Sequence, residues 1–211
     1  MSDTVLHYFF GRGRGEVTRL LLASNGVQYE DKNFTFENWP EAKATGIYEF
    51  GQVPMLEFDG HKLVTSQAIE RYLAKKFGLY PEDNYLAYLV ESVIDLKIDA
   101  FNKIVQFMYV KKDFEGLANW FANDFKTTLA LFEARLAANH GGEHWFVGDS
   151  KTLADYAIFQ FIHDNFFLAG QEARKAVLAE VAPKVLAFTE RFLAGDAAIQ
   201  HRIATRPEFP L

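Results

Sequence analysis

The feature that most constrains this chain is a change of hydrophobic rhythm at residue 79. Before it, short apolar runs alternate with helical stretches. After it, the apolar residues recur at three- to four-residue spacing. Each rhythm asks for its own layer architecture. The sequence therefore predicts an α/β domain over 1–78, a linker over 79–84 (Leu-Tyr-Pro-Glu-Asp-Asn) and an all-helical domain over 85–211.

Within the first part, residues 5–10 are apolar and aromatic and read as a strand. The turn Gly11-Arg-Gly-Arg-Gly15 follows. Residues 16–25 form a helix on the stripe Val17, Leu20 and Leu21, with Gly26 in the C-cap place. Residues 27–36 return as a strand and 39–45 form a short irregular helix. Residues 55–58 and 61–64 flank Asp59-Gly60, a strong hairpin signal. A further helix begins at Ser66 and ends near Gly78. In the second part, helices are expected over 85–110, 117–138, 152–169, about 171–181 and 183–194, with a tail from Arg206. The 152–169 helix is apolar all round, which implies a central position.

Composition excludes several classes. The 21 Phe and 9 Tyr are too many to expose, so most must be core. A formal charge of −6 argues against non-specific nucleic-acid binding. With no cysteine there is no disulfide, no Cys-ligated zinc and no protein thiol nucleophile. The six histidines lack metal spacing, so no metal is expected. No apolar run approaches the roughly 18–20 residues of a membrane span. No secretory leader is expected, and a cytoplasmic location fits a chain without disulfides.

Each motif has a plain reading beside a functional one. Gly11-x-Gly13-x-Gly15 between strand and helix has the look of a dinucleotide fingerprint. Glu16, however, stands where that motif needs a small residue, and an acid there repels a pyrophosphate, so a tight turn is the better reading. Val53-Pro54 precedes the hairpin, where a cis bond is possible. Ser66-Gln67 opens a helix, either as a cap or as a carboxylate site made of free backbone N–H groups. Thr152-x-x-Asp155 fits a structural capping box. Tyr8 alone, at the end of a strand, singles out no substrate.

Taken in order along the chain, these motifs resemble the glutathione transferases of the sigma class. The resemblance is carried by Leu6-His-Tyr-Phe9, Gly13-Arg-Gly-Glu16, Asn38-Trp-Pro40 with Lys43, Gly51-Gln-Val-Pro54 and Ser66-Gln-Ala-Ile69. It implies a thioredoxin-like first domain and a helical second domain. It also implies that glutathione is the co-substrate and that Tyr8 donates its hydroxyl hydrogen to the glutathione sulfur. On the same ground Arg14 supports the site, and Trp39 and Lys43 hold the glycyl carboxylate. Gln52, Val53 and a cis Pro54 present the peptide-binding edge, and Ser66 and Gln67 hold the γ-glutamyl end. Asp99 reaches the γ-glutamyl amine of a neighbouring subunit, which makes a homodimer part of the site. Phe10, Arg12, Phe107, Met108, Tyr109 and Leu211 are implied as walls of a pocket for hydrophobic electrophiles.

The chain departs from the family in three places. Lys151 replaces an apolar staple before the cap of the central helix, where only its stem can pack. Gly15 replaces a small side chain. Ile98 interrupts an acidic cluster around Asp95 and Asp99. The activity implied is conjugation of glutathione to hydrophobic electrophiles, a detoxification reaction. The alternatives are a glutathione-dependent isomerase of the prostaglandin D synthase kind, or a non-catalytic carrier or crystallin-like protein.

Overall fold

The computed structural model describes residues 3–207. Its contacts divide the chain into two compact units. One runs to Gly78 and takes up the chain again from Asp196; the other is Leu79–Gly195. The sequence assigns residues beyond 195 to the helical domain, whereas they cluster with the first unit.

In the first unit, β1 (Val5–Phe9), α1 (Glu16–Ser24), β2 (Glu30–Phe34), α2 (Trp39–Ala44), β3 (Met55–Phe58), β4 (His61–Val64) and α3 (Ser66–Lys76) follow one another. The sheet order is β2-β1-β3-β4, with β1 and β2 parallel and the other pairs antiparallel. This is the thioredoxin-like arrangement that the resemblance implies. Strand β2 is shorter than expected because Asp31, Lys32 and Asn33 leave only Phe34 of its residues buried. Leu6, Leu20, Leu21, Leu56, Ile69 and Leu73 are fully buried. A second aromatic cluster joins Phe34, Tyr48 and Met55 with Phe9, Trp39 and Val53.

A tenth helix, α10 (Ala197–Thr205), completes this unit by packing on α1. Asp196 caps it by accepting from the N–H groups of Ala198 and Ile199. Its attachment is ionic. The Glu16 carboxylate, fully buried, accepts from Arg19 at 3.1 Å, Arg202 at 3.2 Å and Arg206 at 3.1 Å. Arg19 also forks onto Asp31 at 2.7 and 3.0 Å and donates to the Gly11 carbonyl at 2.7 Å. The acid that argues against a pyrophosphate at the glycine turn is thus the centre of a buried charge cluster.

The second unit holds α4 (Asn84–Val105), a π-helical segment (Gln106–Lys111), α5 (Phe114–Ala122), α6 (Phe125–Ala138), α7 (Leu153–Phe166), α8 (Glu172–Val181) and α9 (Pro183–Ala194). The single helix expected over 117–138 is two, because Asn123 leaves the helical region and Asp124 starts a new one. Helix α7 is the centre: all but one of its residues are buried. Lys151 packs more than its stem, since its ammonium stands over Trp145, Tyr156 and Phe192 at 5.8, 5.4 and 4.9 Å.

Buried histidine gives the first unit an acid weakness. His7 stands between Tyr48 Oη and Glu57 Oε1, each 3.1 Å away. Burial lowers its pKa, and Glu57 only partly opposes this. The unfolded chain therefore takes up a proton near pH 6.5 that the folded one refuses, so stability is kept above that value and falls as the pH drops below it. Urea midpoints at pH 7.5 and 5.5 should show this fall, and it should be smaller in His7→Gln.

Candidate functional site

The site is assembled at one edge of the first unit by three backbone features. The first is the glycine turn after β1. Gly13 has φ +39°, a conformation glycine adopts freely, and it lets the turn close over Tyr8. The N–H of Arg14 donates to the Tyr8 hydroxyl oxygen at 2.9 Å. A hydroxyl oxygen that accepts one hydrogen bond carries a hydrogen of its own, so the group has donor chemistry as well.

The second feature is the Val53–Pro54 bond, which is cis, as the resemblance implies. It leads into β3. The third is the start of α3. Thr65 precedes this helix at φ +66°, unusual for a β-branched residue, and makes no side-chain cap. Ser66 therefore lies inside the first turn, not at the cap. The unclaimed N–H groups and positive end of the helix suit a carboxylate.

These features enclose a groove of about 240 Å³, lined by Arg14, Phe50, Gln52, Val53, Pro54, Val64, Thr65, Ser66 and Gln67. Six of the residues expected to bind glutathione are thus brought together. Phe50, Val64 and Thr65 were not foreseen, and the positive φ of Thr65 left no sign in residue type. Tyr8 joins the group through Arg14. Trp39 and Lys43 lie on α2. The Trp39 ring packs against Phe9, Phe34 and Tyr48. The Lys43 side chain runs over Gly51, where a Cβ would meet its Cε at 2.9 Å. Gly51 immediately precedes Gln52, which places Lys43 beside the groove's rim.

The other expected residues are more scattered. Phe10 is 49% exposed, and Arg12 precedes the single turn of 3-10 helix at Gly13–Gly15. Phe107, Met108 and Tyr109 occupy the π-helical segment of the second unit, where Phe107 tilts against Trp120. Asp99 is exposed on α4. Leu211 lies outside the described residues. Among the described residues no cluster of potential metal ligands occurs, and no helix is long and apolar enough to cross a membrane.

Comparison with known proteins matches both halves of the chain. Residues 4–75 fit the family model of the glutathione S-transferase N-terminal domain, and residues 98–200 fit that of its C-terminal domain. A probable glutathione S-transferase 6 of Caenorhabditis elegans is 35% identical, over 97% of both chains. The hematopoietic prostaglandin D synthase of Gallus gallus is also 35% identical, over 99% of this chain and 98% of its own. Among solved structures, a monomeric glutathione S-transferase of the hookworm Necator americanus superposes with a TM-score of 0.83 at 31% identity, covering 99% of each chain. With both domains matched and these relatives aligned nearly end to end, this chain belongs to the glutathione S-transferase family.

Proposed function

We propose that this chain binds reduced glutathione in the first-unit groove, holds its thiol as thiolate through Tyr8, and transfers it to hydrophobic electrophiles. The observation that carries the reading is the junction at Arg14. Its N–H meets the Tyr8 hydroxyl, and its residue lines the groove that ends at the uncapped start of α3. The Tyr8 hydroxyl thus stands against one lining residue of a groove whose other end suits an anion, an arrangement that fits a short acidic peptide carrying a thiol.

In this reading Ser66, Gln67 and the N–H groups of α3 take the γ-glutamyl carboxylate. Gln52 and the Val53 backbone pair with the peptide as an added strand. Trp39 and Lys43 take the glycyl carboxylate. The thiol proton leaves to water, and the Tyr8 hydroxyl donates to the resulting sulfur anion. The sulfur then attacks the electrophilic carbon, and the leaving group departs with the bonding pair. Phe107, Met108 and Tyr109 are assigned to the electrophile. Action in the cytoplasm on toxic electrophiles is part of the same reading.

A second reading, isomerisation of a prostaglandin endoperoxide, is favoured by the equal identity to the chicken prostaglandin D synthase. Both need the same thiolate. A panel of electrophiles and prostaglandin H2, assayed with and without glutathione, separates them. No glutathione-dependent turnover of any member would refute both.

The dimer belongs to this proposal as well. Asp99 is assigned to the γ-glutamyl amine in the partner's groove. Asp99→Ala should raise the glutathione KM several-fold, in line with about 1.5–3 kcal/mol for a charge-assisted bond weakened by solvent, and leave the melting temperature nearly unchanged. Sedimentation at assay concentration provides the check. Full activity from a monomer, with Asp99→Ala silent, would remove the partner from the site.

A further inference from the structure

Tyr8 sits against bare backbone. A Cβ on Gly13 would stand 2.7 Å from the Tyr8 hydroxyl oxygen. A Cβ on Gly15 would stand 2.8 and 3.0 Å from the ring atoms Cδ1 and Cγ, and 3.3 Å from Nη1 of Arg19. A real Cβ essentially never comes within 3.0 Å of a heavy atom beyond its own residue and chain neighbours. The atoms met at Gly15 are the root of the ring, fixed by β1. They cannot swing aside as the end of a lysine can. Arg19, fully buried, faces the same ring with its guanidinium 5.8 Å from the centroid. Its bonds to Gly11, Glu16 and Asp31 hold it there.

We infer that Gly15 is a positioning residue: its missing side chain sets how deeply the Tyr8 phenol lies against the turn, and so the reach of the Arg14 N–H to the phenol oxygen. The inference rests on the reading of Tyr8 as the thiol-activating group. An oxygen that accepts a hydrogen bond becomes a stronger donor, because linked hydrogen bonds polarise one another. A methyl group at residue 15 displaces the ring by a few tenths of an ångström and lengthens the 2.9 Å bond from Arg14. The phenol then donates less strongly to sulfur.

Gly15 gives a cleaner test than Gly13. Gly13, at φ +39°, would be strained by any side chain. Gly15 has φ −89° and ψ −19°, an ordinary right-handed conformation open to alanine. The charges around the ring are untouched by the substitution. These are Arg19 with Glu16 and Asp31, Arg202 and Arg206 on Glu16, and the turn arginines Arg12 and Arg14. Tyr29, which burial pushes up to about 12, stays neutral throughout.

The experiment compares the native chain with Gly15→Ala, Tyr8→Phe and the double variant. Each is assayed for conjugation of 1-chloro-2,4-dinitrobenzene and titrated by thiolate absorbance with glutathione bound. Gly15→Ala should lower kcat about 3- to 10-fold near neutral pH and raise the bound thiol's pKa by about half to one unit. The glutathione KM should stay within about twofold, since the groove is unchanged. In the Tyr8→Phe background the same substitution should change kcat less than about twofold, because the two residues act as one unit.

An unchanged kcat and thiol pKa in Gly15→Ala overturns the inference, as does an equal loss in both backgrounds. If Tyr8→Phe lowers activity and Gly15→Ala does not, only the positioning role falls. If Tyr8→Phe itself leaves the thiol pKa unchanged, the reading of Tyr8 falls and takes the inference with it. A crystal structure of Gly15→Ala supplies an independent measure, and an unaltered Arg14-to-phenol distance there also counts against the proposal.

Discussion

Tyr8→Phe is expected to lower turnover about 10- to 100-fold near neutral pH and to leave glutathione affinity almost unchanged. A free thiol of this type has a pKa near 8.5, so only a few per cent is ionised at pH 7. A hydrogen bond to a charged group is worth about 1.5–3 kcal/mol, and one pKa unit corresponds to about 1.36 kcal/mol. Removing the bond therefore raises the bound thiol's pKa by roughly one to two units. The rate follows the thiolate fraction, and each unit is a factor of about ten. Phenylalanine keeps the ring and its edge contact with Phe9, so the fold should persist. The deficit should shrink as the pH approaches 9, where the thiol ionises unaided. A thiolate titration and a pH–rate profile on both proteins provide the check. An unchanged thiol pKa would shift the donor role to the turn, with Arg12 or Arg14 the next candidates.

How much of this site was legible depended on whether its determinants are local. The turn, the Asp59-Gly60 hairpin and the start of α3 are each coded within a few residues, and all three occur where the sequence placed them. The sequence could not decide whether Ser66 is a cap or a ligand. The structure bears on that through Thr65, which takes the cap position without capping. Determinants that act across the chain were missed. Glu16 meets Arg202 and Arg206 from nearly two hundred residues away, and nothing in the local pattern announces it. The helix that carries Arg202 and is followed by Arg206 has a visible start signal in Gly195-Asp196, but its allegiance to the first unit depends on that distant pairing. Arg19 stands outside the apolar stripe of α1 that the sequence shows, yet its charge lies wholly inside. Charge buried among partners far apart in sequence is invisible to periodicity, which records only apolar faces.

The largest stability loss is expected at Asp155, far in sequence from the residues that line the first-unit groove. Its carboxylate is fully buried and accepts three bonds: from the Phe146 N–H at 2.8 Å, the Thr152 N–H at 2.7 Å and the Thr152 hydroxyl at 2.9 Å. The Thr152 side chain completes the capping box by accepting from the N–H of Asp155. One carboxylate thus ties the 139–151 connection to the start of α7. Asp155→Ala strands two buried N–H donors, each costing about 1–3 kcal/mol, and leaves the Thr152 hydroxyl without its acceptor. A total of roughly 3–5 kcal/mol is a large share of the 5–15 kcal/mol typical of a folded domain. Thr152→Ala should cost only about 1 kcal/mol, because Asp155 still serves both backbone donors.

The pH dependence separates burial from hydrogen bonding at this carboxylate. Burial pushes the Asp155 pKa up to about 6, against the hydrogen bonds that favour its charged form. A folded-state pKa above the unfolded value of 3.8 means that the folded chain holds a proton the unfolded chain has lost. The contribution is therefore full below that unfolded value and declines as the pH rises through about 6. The stability margin of the native chain over Asp155→Ala should accordingly widen from pH 7 to pH 5. Urea unfolding followed by the fluorescence of Trp120 and Trp145, both in the second unit, measures that margin. A margin that narrows instead would mean that the hydrogen bonds outweigh desolvation and that Asp155 is charged throughout.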